Sequence, residues 1–336
     1  MKTFDSVTDL TSLEFPVQII ECKSREEWLS ARRKRLQASD TAAILGHGYA
    51  NQSPATIWES KVTDNDLDPI TQPKYLRIGK LMEPSLSLIF SEETDMPVIP
   101  VGDFTIYCHP LIEWLGCTLD GKTIHDEFGL CPLELKNIRY SRREEWENDK
   151  APLKFAIQIQ HQLAVTGATH GFLLGFIGGN EPIVRIIERD EPFIDAMLET
   201  VAEFWGYVLG RELPPVDGTE ATAGVLKRLF GKDDGNTTML PRDAAEWAIE
   251  RETASAIIKE MKSIQQLAEN NLKSKIGGFS FGDLPHKADY RGASDRVAEL
   301  MKKTVERIGV RQAPLSYSWK QQATASGETR VLRACK

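Results

Sequence analysis

Residues 116–142 read GCTLDGKTIHDEFGLCPLELKNIRYSR, and the rest of the chain is organised around them. An apolar run containing Trp114 and Leu115 leads into Asp120. Residues 125–129 are rich in turn formers, and a second run, residues 130–136, rises out of them. This pattern predicts two neighbouring strands joined by a polar turn. Side chains alternate along a strand, so Glu134 and Lys136 share one face while Leu133 and Leu135 take the other. Asp120, at the end of the neighbouring strand, falls beside them. Two carboxylates and an ammonium converging at a sheet edge suit a Mg²⁺ site with a lysine beside the nucleophilic water. Taken alone, the D-x(n)-E-x-K pattern is weak and reads first as solvated strand ends, since a chain with 49 acidic residues matches it by chance.

The composition narrows the class. A chain of 336 residues implies one large or two unequal domains, and 41% hydrophobic residues can fill a core. The net charge of −8 argues against a chain that coats nucleic acid nonspecifically, yet leaves room for a local basic channel. Five widely spaced cysteines (Cys22, Cys108, Cys117, Cys131, Cys335) without a CxxC argue against a disulfide framework and fit a reducing cytoplasm, and Cys108, Cys117 and Cys131, on apolar strand-like stretches, read as buried thiols. The N-terminus has acidic residues where a signal peptide needs an apolar run. No apolar stretch approaches the roughly 18 residues of a membrane span.

The N-terminal half carries further signals. Residues 17–20 fit an added strand. Ser24 followed by Glu27 reads as a capping box opening a helix with Trp28 and Leu29. A basic run from Arg32 to Arg35 precedes Ser39, which can cap a helix over residues 41–45 that ends at Gly46. A helix start preceded by cations suits a phosphate, and also fits a solvated basic helix end. Residues 75–94 show helical apolar spacing, with Glu83 four residues after Gly79. Pro84 right behind Glu83 predicts a kink or a restart. Strands are expected over residues 97–101, 104–108 and 112–115.

Beyond Lys136, Arg142 and Arg143 sit in SRREEW. Residues 152–166 predict a helix with Pro152 in its first turn; Phe155, Ile159 and Leu163 form one face, and Gln158 and Gln162 share another. Buried glutamines need partners. A lone histidine such as His161 reads as structural. Residues 171–178 and 182–188 predict two more strands. A helix from Asp190 to about Val208 follows, with Phe193, Met197, Val201, Phe204 and Trp205 on its apolar face.

Residues 209–243 are rich in Gly, Pro, Asp and Thr and read as a linker with a short helix in the middle. A long amphipathic helix is expected over residues 244–275. A turn or short strand at 277–285, a helix at 295–308 and a closing hairpin (315–320, 329–333) complete the chain. Lys320, Arg330 and Arg333 on that hairpin fit either DNA contacts or a solvated charged edge. The resulting division is a domain over 1–212, a linker over 213–243 and an accessory region over 244–336.

These pieces, in this order over residues 28–207, resemble the lambda-exonuclease/YqaJ family of phage recombination nucleases, within the PD-(D/E)XK superfamily. The resemblance implies an α/β restriction-endonuclease-like core, a central mixed sheet flanked by helices, with a C-terminal helical arm and small β-hairpin. It implies Asp120, Glu134 and the Leu135 carbonyl as metal ligands, Lys136 as the catalytic lysine, and Glu83 and Gln158 completing the shell, with Gln160 second in a Q-x-Q helix. It implies Arg32, Ser39, Thr118 and Arg142 around a DNA 5′-phosphate, Arg143 standing as the neighbouring alternative to Arg142 and Arg35 as a weaker candidate. Residues 49–58 resemble the family's substrate-side loop and the helix after it. Cys108, Cys117 and Cys131 lack the spacing of the iron–sulfur cluster carried by some RecB-like nucleases.

The implied activity is a Mg²⁺-dependent 5′-to-3′ double-strand DNA exonuclease, with Mn²⁺ as substitute and one or two metals left open, that generates 3′ single-stranded tails for phage-type recombination. Double-stranded DNA ends, a single-strand annealing protein and a homotrimer are the implied partners. The implied setting is a bacterial cytoplasm, with a phage or prophage origin. A structure-specific or restriction-like endonuclease of the same superfamily would not need the Arg32/Ser39/Arg142 pocket. A DNA-end-binding module would not need the intact Asp120, Glu134 and Lys136.

Overall fold

The computed structural model describes residues 13–63, 74–232, 235–278, 293–308, 317–324 and 327–334. Strand β1 (Gln18–Glu21) precedes helix α1 (Arg25–Arg33), where Ser24 Oγ accepts from the Glu27 N–H at 3.3 Å. Helix α2 (Ala38–Ile44) starts earlier than expected, and Ser39 is its second residue rather than its cap. Gln37 takes the cap position because the Asp40 carboxylate, ion-paired to Lys61 at 2.7 Å, accepts from the Gln37 N–H at 3.0 Å. An anchored carboxylate in the first turn is a stronger acceptor than a hydroxyl. Gly46, at φ +78°, follows the helix as the sequence suggests.

Helix α3 (Pro54–Val62) is capped by Ser53, and α4 (Lys74–Thr94) runs unbroken through Pro84. The expected restart is therefore absent. Leu86 and Phe90, both fully buried on the turns that follow, hold the helix together across the hydrogen bond that Pro84 removes. Strands β2 (Val98–Ile99), β3 (Thr105–Cys108) and β4 (Gly116–Cys117) come next. The strand expected over residues 112–115 is instead a turn, closed by Leu115 N–H on the Ile112 carbonyl at 3.0 Å. His109 Nδ1 accepts from Leu111 and Ile112 (3.1 and 3.0 Å), which takes those amides away from any ladder.

The anticipated hairpin is β5 (Gly121–His125) and β6 (Gly129–Ile138), antiparallel, with Gly121 opposite Leu133. A 3-10 segment (Tyr140–Trp146) and helix α5 (Leu153–Thr166) cross over to β7 (His170–Ile177). Then come β8 (Glu181–Glu188), α6 (Glu191–Gly210), capped by Asp190, and α7 (Glu220–Leu229). The main sheet has the order β2-β5-β6-β7-β8, with β6 and β7 parallel and the other neighbours antiparallel. A smaller sheet has the order β1-β3-β4.

Alternation along β6 decides which helix meets which face. Leu133 and Leu135 join Leu86 and Phe90 of α4 with Phe172 and Leu174 of β7 in one buried cluster. The opposite face receives α5 through Phe155, Ile159 and Leu163, all buried. Close approach there needs glycine. A Cβ on Gly175 would stand 2.3 Å from the Trp146 ring, and one on Gly171 2.6 Å from Ile159. The α/β fold, a mixed sheet between helices, is the one expected.

The chain divides into two compact units, the first ending at Leu229 and the second beginning at Phe230. Helix α7, inside the stretch read as linker, packs on α3. Thr222 donates to Ser53 at 2.9 Å and Arg228 grips Glu59. In the second unit, α8 (Ala244–Ile276) has no buried residue and contacts α9 (Ala293–Ile308). Strands β9 (Tyr317–Thr324) and β10 (Gly327–Ala334) pair antiparallel, with Lys320 opposite Val331, Arg330 opposite Gln321 and Arg333 opposite Ser318. Residues 279–292, most of the expected turn or strand at 277–285, and Cys335 lie outside the described residues. Among the described residues no helix is long and apolar enough to cross a membrane.

Candidate active site

β5 begins opposite Leu133, so the Leu135 amide lies beyond its end. Asp120, just before β5, fills the gap: its Oδ2 accepts from the Leu135 N–H at 2.9 Å. That bond fixes the Asp120 carboxylate beside β6, where Lys136 Nζ stands 3.7 Å from the same oxygen. Glu134, only 2% exposed, is held by three donors. Lys136 Nζ and Gln158 Nε2 (2.5 Å) meet Oε1, and Gln162 Nε2 meets Oε2 at 2.6 Å.

Burial, and then the Asp120 charge, push the Glu134 carboxyl up to about 7, against the pull of Lys136 and Gln162. Burial works to lower Lys136, but the carboxylates of Glu134 and Asp120 outweigh it and hold the ammonium above the ordinary lysine range. Lys136 is therefore a fixed cation at neutral pH. Glu83, on α4, is raised by burial and then by Asp120, while Lys80 at 2.7 Å opposes the shift. Glu83 thus faces Asp120 and Lys136 at electrostatic range, its hydrogen bond going to Lys80.

Among the described residues no three His, Cys, Asp or Glu side chains stand ready to hold a metal ion by themselves. Asp120 and Glu134 supply two carboxylates, and the Leu135 carbonyl is a further hard oxygen on the same strand. Mg²⁺ typically uses one or two carboxylates and keeps several waters, so this donor set fits it. Asp120 raises both Glu83 and Glu134, and a divalent cation among them would relieve that repulsion. These oxygen donors are hard, which favours Mg²⁺ or Mn²⁺ over zinc.

Two of the expected phosphate residues, Arg32 and Thr118, are in direct contact. Arg32 stacks over Trp28 at 4.4 Å and donates to Thr118 Oγ1 at 3.3 Å, two residues before Asp120. Burial lowers its pKa and Asp40 opposes the shift. Lys61 ties this corner together, donating to the Arg32 and Arg35 carbonyls (3.2 and 2.8 Å). Ser39 lines a small cavity with Tyr49, Lys154, Phe155 and Gln158. Arg142 is half-exposed and donates to Glu145 at 2.9 Å. Arg143 forms a two-pronged pair with Glu181 (3.0 and 2.9 Å) and also reaches Glu147 at 3.2 Å.

Gln160 turns away from the cluster, donating to the Glu188 carbonyl at 2.6 Å and accepting from the Asp190 N–H at 3.1 Å, which ties β8 to α6. His161 is structural, bridging Thr41 and the Gly116 carbonyl. Two site residues went unassigned from sequence. Gln162 was visible as the i+4 partner of Gln158 on one helical face. Lys154 carried no signal, since only folding brings it over the rings of Phe155 and Tyr49 (4.8 and 5.3 Å).

Residues 27–169 match the model of the YqaJ-like viral recombinase domain. The chain is 26% identical over 264 residues to the uncharacterized protein YqaJ of Bacillus subtilis (strain 168), covering 76% of this chain and 81% of that protein. Among solved structures, it is similar to the alkaline exonuclease LHK-Exo of Laribacter hongkongensis at 21% identity and a TM-score of 0.44, covering 55% of this chain and 93% of the other. A phage-related exonuclease of Haemophilus somnus 129PT is similar at 10% identity and a TM-score of 0.38, with 52% and 93% covered.

Proposed function

We propose that this chain, whose residues 27–169 match the model of the YqaJ-like viral recombinase domain, is a divalent-metal-dependent DNA exonuclease that degrades the 5′-ended strand of duplex DNA and leaves 3′ single-stranded tails. The observation that carries the reading is the convergence of Asp120, Glu134, Lys136 and Gln158 around β6, the central strand of the main sheet, not at a sheet edge. A Mg²⁺ or Mn²⁺ ion held by Asp120, Glu134 and the Leu135 carbonyl would act as a Lewis acid on the scissile phosphate. Lys136, protonated at neutral pH, orients the attacking water and offsets charge growing on the phosphate. Gln158 and Gln162 keep the buried Glu134 carboxylate aimed at the cluster. Glu83 adds a carboxylate on the far side. Arg32 with Thr118, Ser39 and Arg142 are the residues assigned to the 5′-phosphate. Phosphate contacts carry no base information, so the strand is degraded with little sequence preference. The 3′ tail is the substrate an annealing protein would take.

The test is digestion of linear duplex with Mg²⁺, comparing 5′-phosphate ends, 5′-hydroxyl ends and a closed circle. Loss of the phosphorylated linear DNA with the circle spared is expected. Cutting of the circle would replace the reading with an endonuclease. DNA bound without cutting would leave an end-binding module.

A further inference from the structure

A cavity of about 470 Å³ is walled by residues 46–48, Glu145 and residues 152–154 at the entry to α5. Lys154 also lines a small cavity with Ser39 and Gln158, so one residue belongs to the walls of both spaces, and Gln158 in turn donates to Glu134. Its side chain is 13% exposed, laid against Phe155 and Tyr49, which fixes where Nζ sits. Nζ donates to Glu145 Oε2 at 3.1 Å while Arg142 donates to Glu145 Oε1 at 2.9 Å. One carboxylate thus bridges a guanidinium and an ammonium at the mouth of a cavity.

We propose that Arg142 and Lys154 form a phosphate subsite for DNA, and that the Glu145 carboxylate stands in for the phosphate until a strand binds. This deepens the exonuclease reading and rests on it. A phosphate presents more acceptor oxygens than a carboxylate, and a terminal phosphomonoester carries more charge, so it displaces Glu145 from both cations. Lys154, already held by two rings, loses little side-chain freedom on binding. The bound group is either a 5′-terminal phosphomonoester or an internal phosphodiester of the same strand.

The experiment is fluorescence anisotropy of the full chain with labelled duplex, Ca²⁺ replacing Mg²⁺ to prevent cutting, on 5′-phosphate and 5′-hydroxyl ends. Glu145→Gln is expected to tighten binding about threefold to fivefold, the worth of a competing surface ion pair. Lys154→Met is expected to weaken it roughly tenfold and to flatten the salt dependence by about one counterion. An effect confined to phosphorylated ends assigns the terminal group; an equal effect on both assigns an internal phosphate. Glu147→Gln, which removes a carboxylate paired to Arg143 instead, is the field control and is expected to change nothing. The proposal is overturned if Glu145→Gln leaves affinity unchanged or weaker, or if Glu147→Gln tightens it equally. Should Lys154→Met fold poorly, the two glutamate variants decide alone. Wild-type protein that neither binds nor digests linear DNA would sink the exonuclease reading; active wild-type protein with unaltered variants would sink only the subsite.

Discussion

Gln162 Nε2 lies 2.6 Å from Glu134 Oε2, with both side chains shut away from solvent. Lys136 and Gln158 take the other oxygen, so Gln162 alone fixes the inner side of the carboxylate. Gln162→Met leaves Glu134 Oε2 buried without a donor. The expected outcome is a loss of about 1–3 kcal/mol of stability in metal-free protein. Residues that orient a ligand also tune affinity, so Mn²⁺ binding by calorimetry should weaken roughly 10- to 100-fold. Unchanged Mn²⁺ affinity in a folded variant would show that Gln162 does nothing for the site.

Lys136→Met removes the one cation that contacts Glu134 and stands near Asp120. Cleavage is expected to fall by roughly 10²- to 10³-fold, as when a single charge-stabilising donor is lost. DNA binding in Ca²⁺ should stay close to wild type. Lys136 also pulls the Glu134 carboxyl down from its raised value, so without it Glu134 titrates higher still. Residual activity should therefore rise toward more alkaline pH. Equal loss of binding and cleavage would remove the role given to this lysine.

Arg142 and Arg143 are adjacent but differently committed. Arg143 is bidentate on Glu181 and reaches Glu147, whereas among the described residues Arg142 pairs with Glu145 in a half-exposed contact. Arg142→Ala should reduce the preference for phosphorylated over hydroxyl 5′ ends by roughly tenfold, the worth of one charge-assisted bond. Arg143→Ala should leave that preference intact and shift the melting temperature slightly. A result with the two roles exchanged would move the phosphate contact to Arg143.

Local rules carried most of this fold. The hairpin around Asp120 and Glu134 was legible because alternation and turn residues agree along the same stretch. Gln158 and Gln162 were legible as one helical face, though not the division between the oxygens of Glu134. The false strand over residues 112–115 shows the limit: its apolar run is extended-looking, but the His109 ring captures the amide of Ile112, with that of Leu111 just before it. The cap of α2 went to Gln37 because Asp40 is locked to Lys61 from a different helix, a partner that no local window contains. Lys154 and Glu145 escaped notice for the same reason, since only folding brings them together.

His161 makes the acid sensitivity of this architecture testable. The Gly116 carbonyl can only accept, so Nε2 carries the proton, and Nδ1 accepts from the Thr41 hydroxyl at 2.7 Å. The neutral ring satisfies both neighbours while tying α5 to α2 and β4. Burial lowers its pKa to about 4, partly countered by the Gly116 hydrogen bond and Asp40. The folded value is below the unfolded value of about 6.5, so the unfolded chain takes up the proton first. Stability from this group is fully present above pH 6.5 and is lost as pH falls toward 4. The shift corresponds to about 3 kcal/mol. Melting curves between pH 7.5 and 4.5 should therefore fall more steeply for wild type than for His161→Gln, which carries no titrating ring. Parallel slopes would mean that the acid sensitivity lies in the carboxylates, not in the histidine. Because Gly116 leads through Thr118 to Asp120, the first segment expected to loosen in acid is the Arg32–Thr118 contact. Hydrogen exchange at the amides of residues 116–120 should report that loosening before global unfolding.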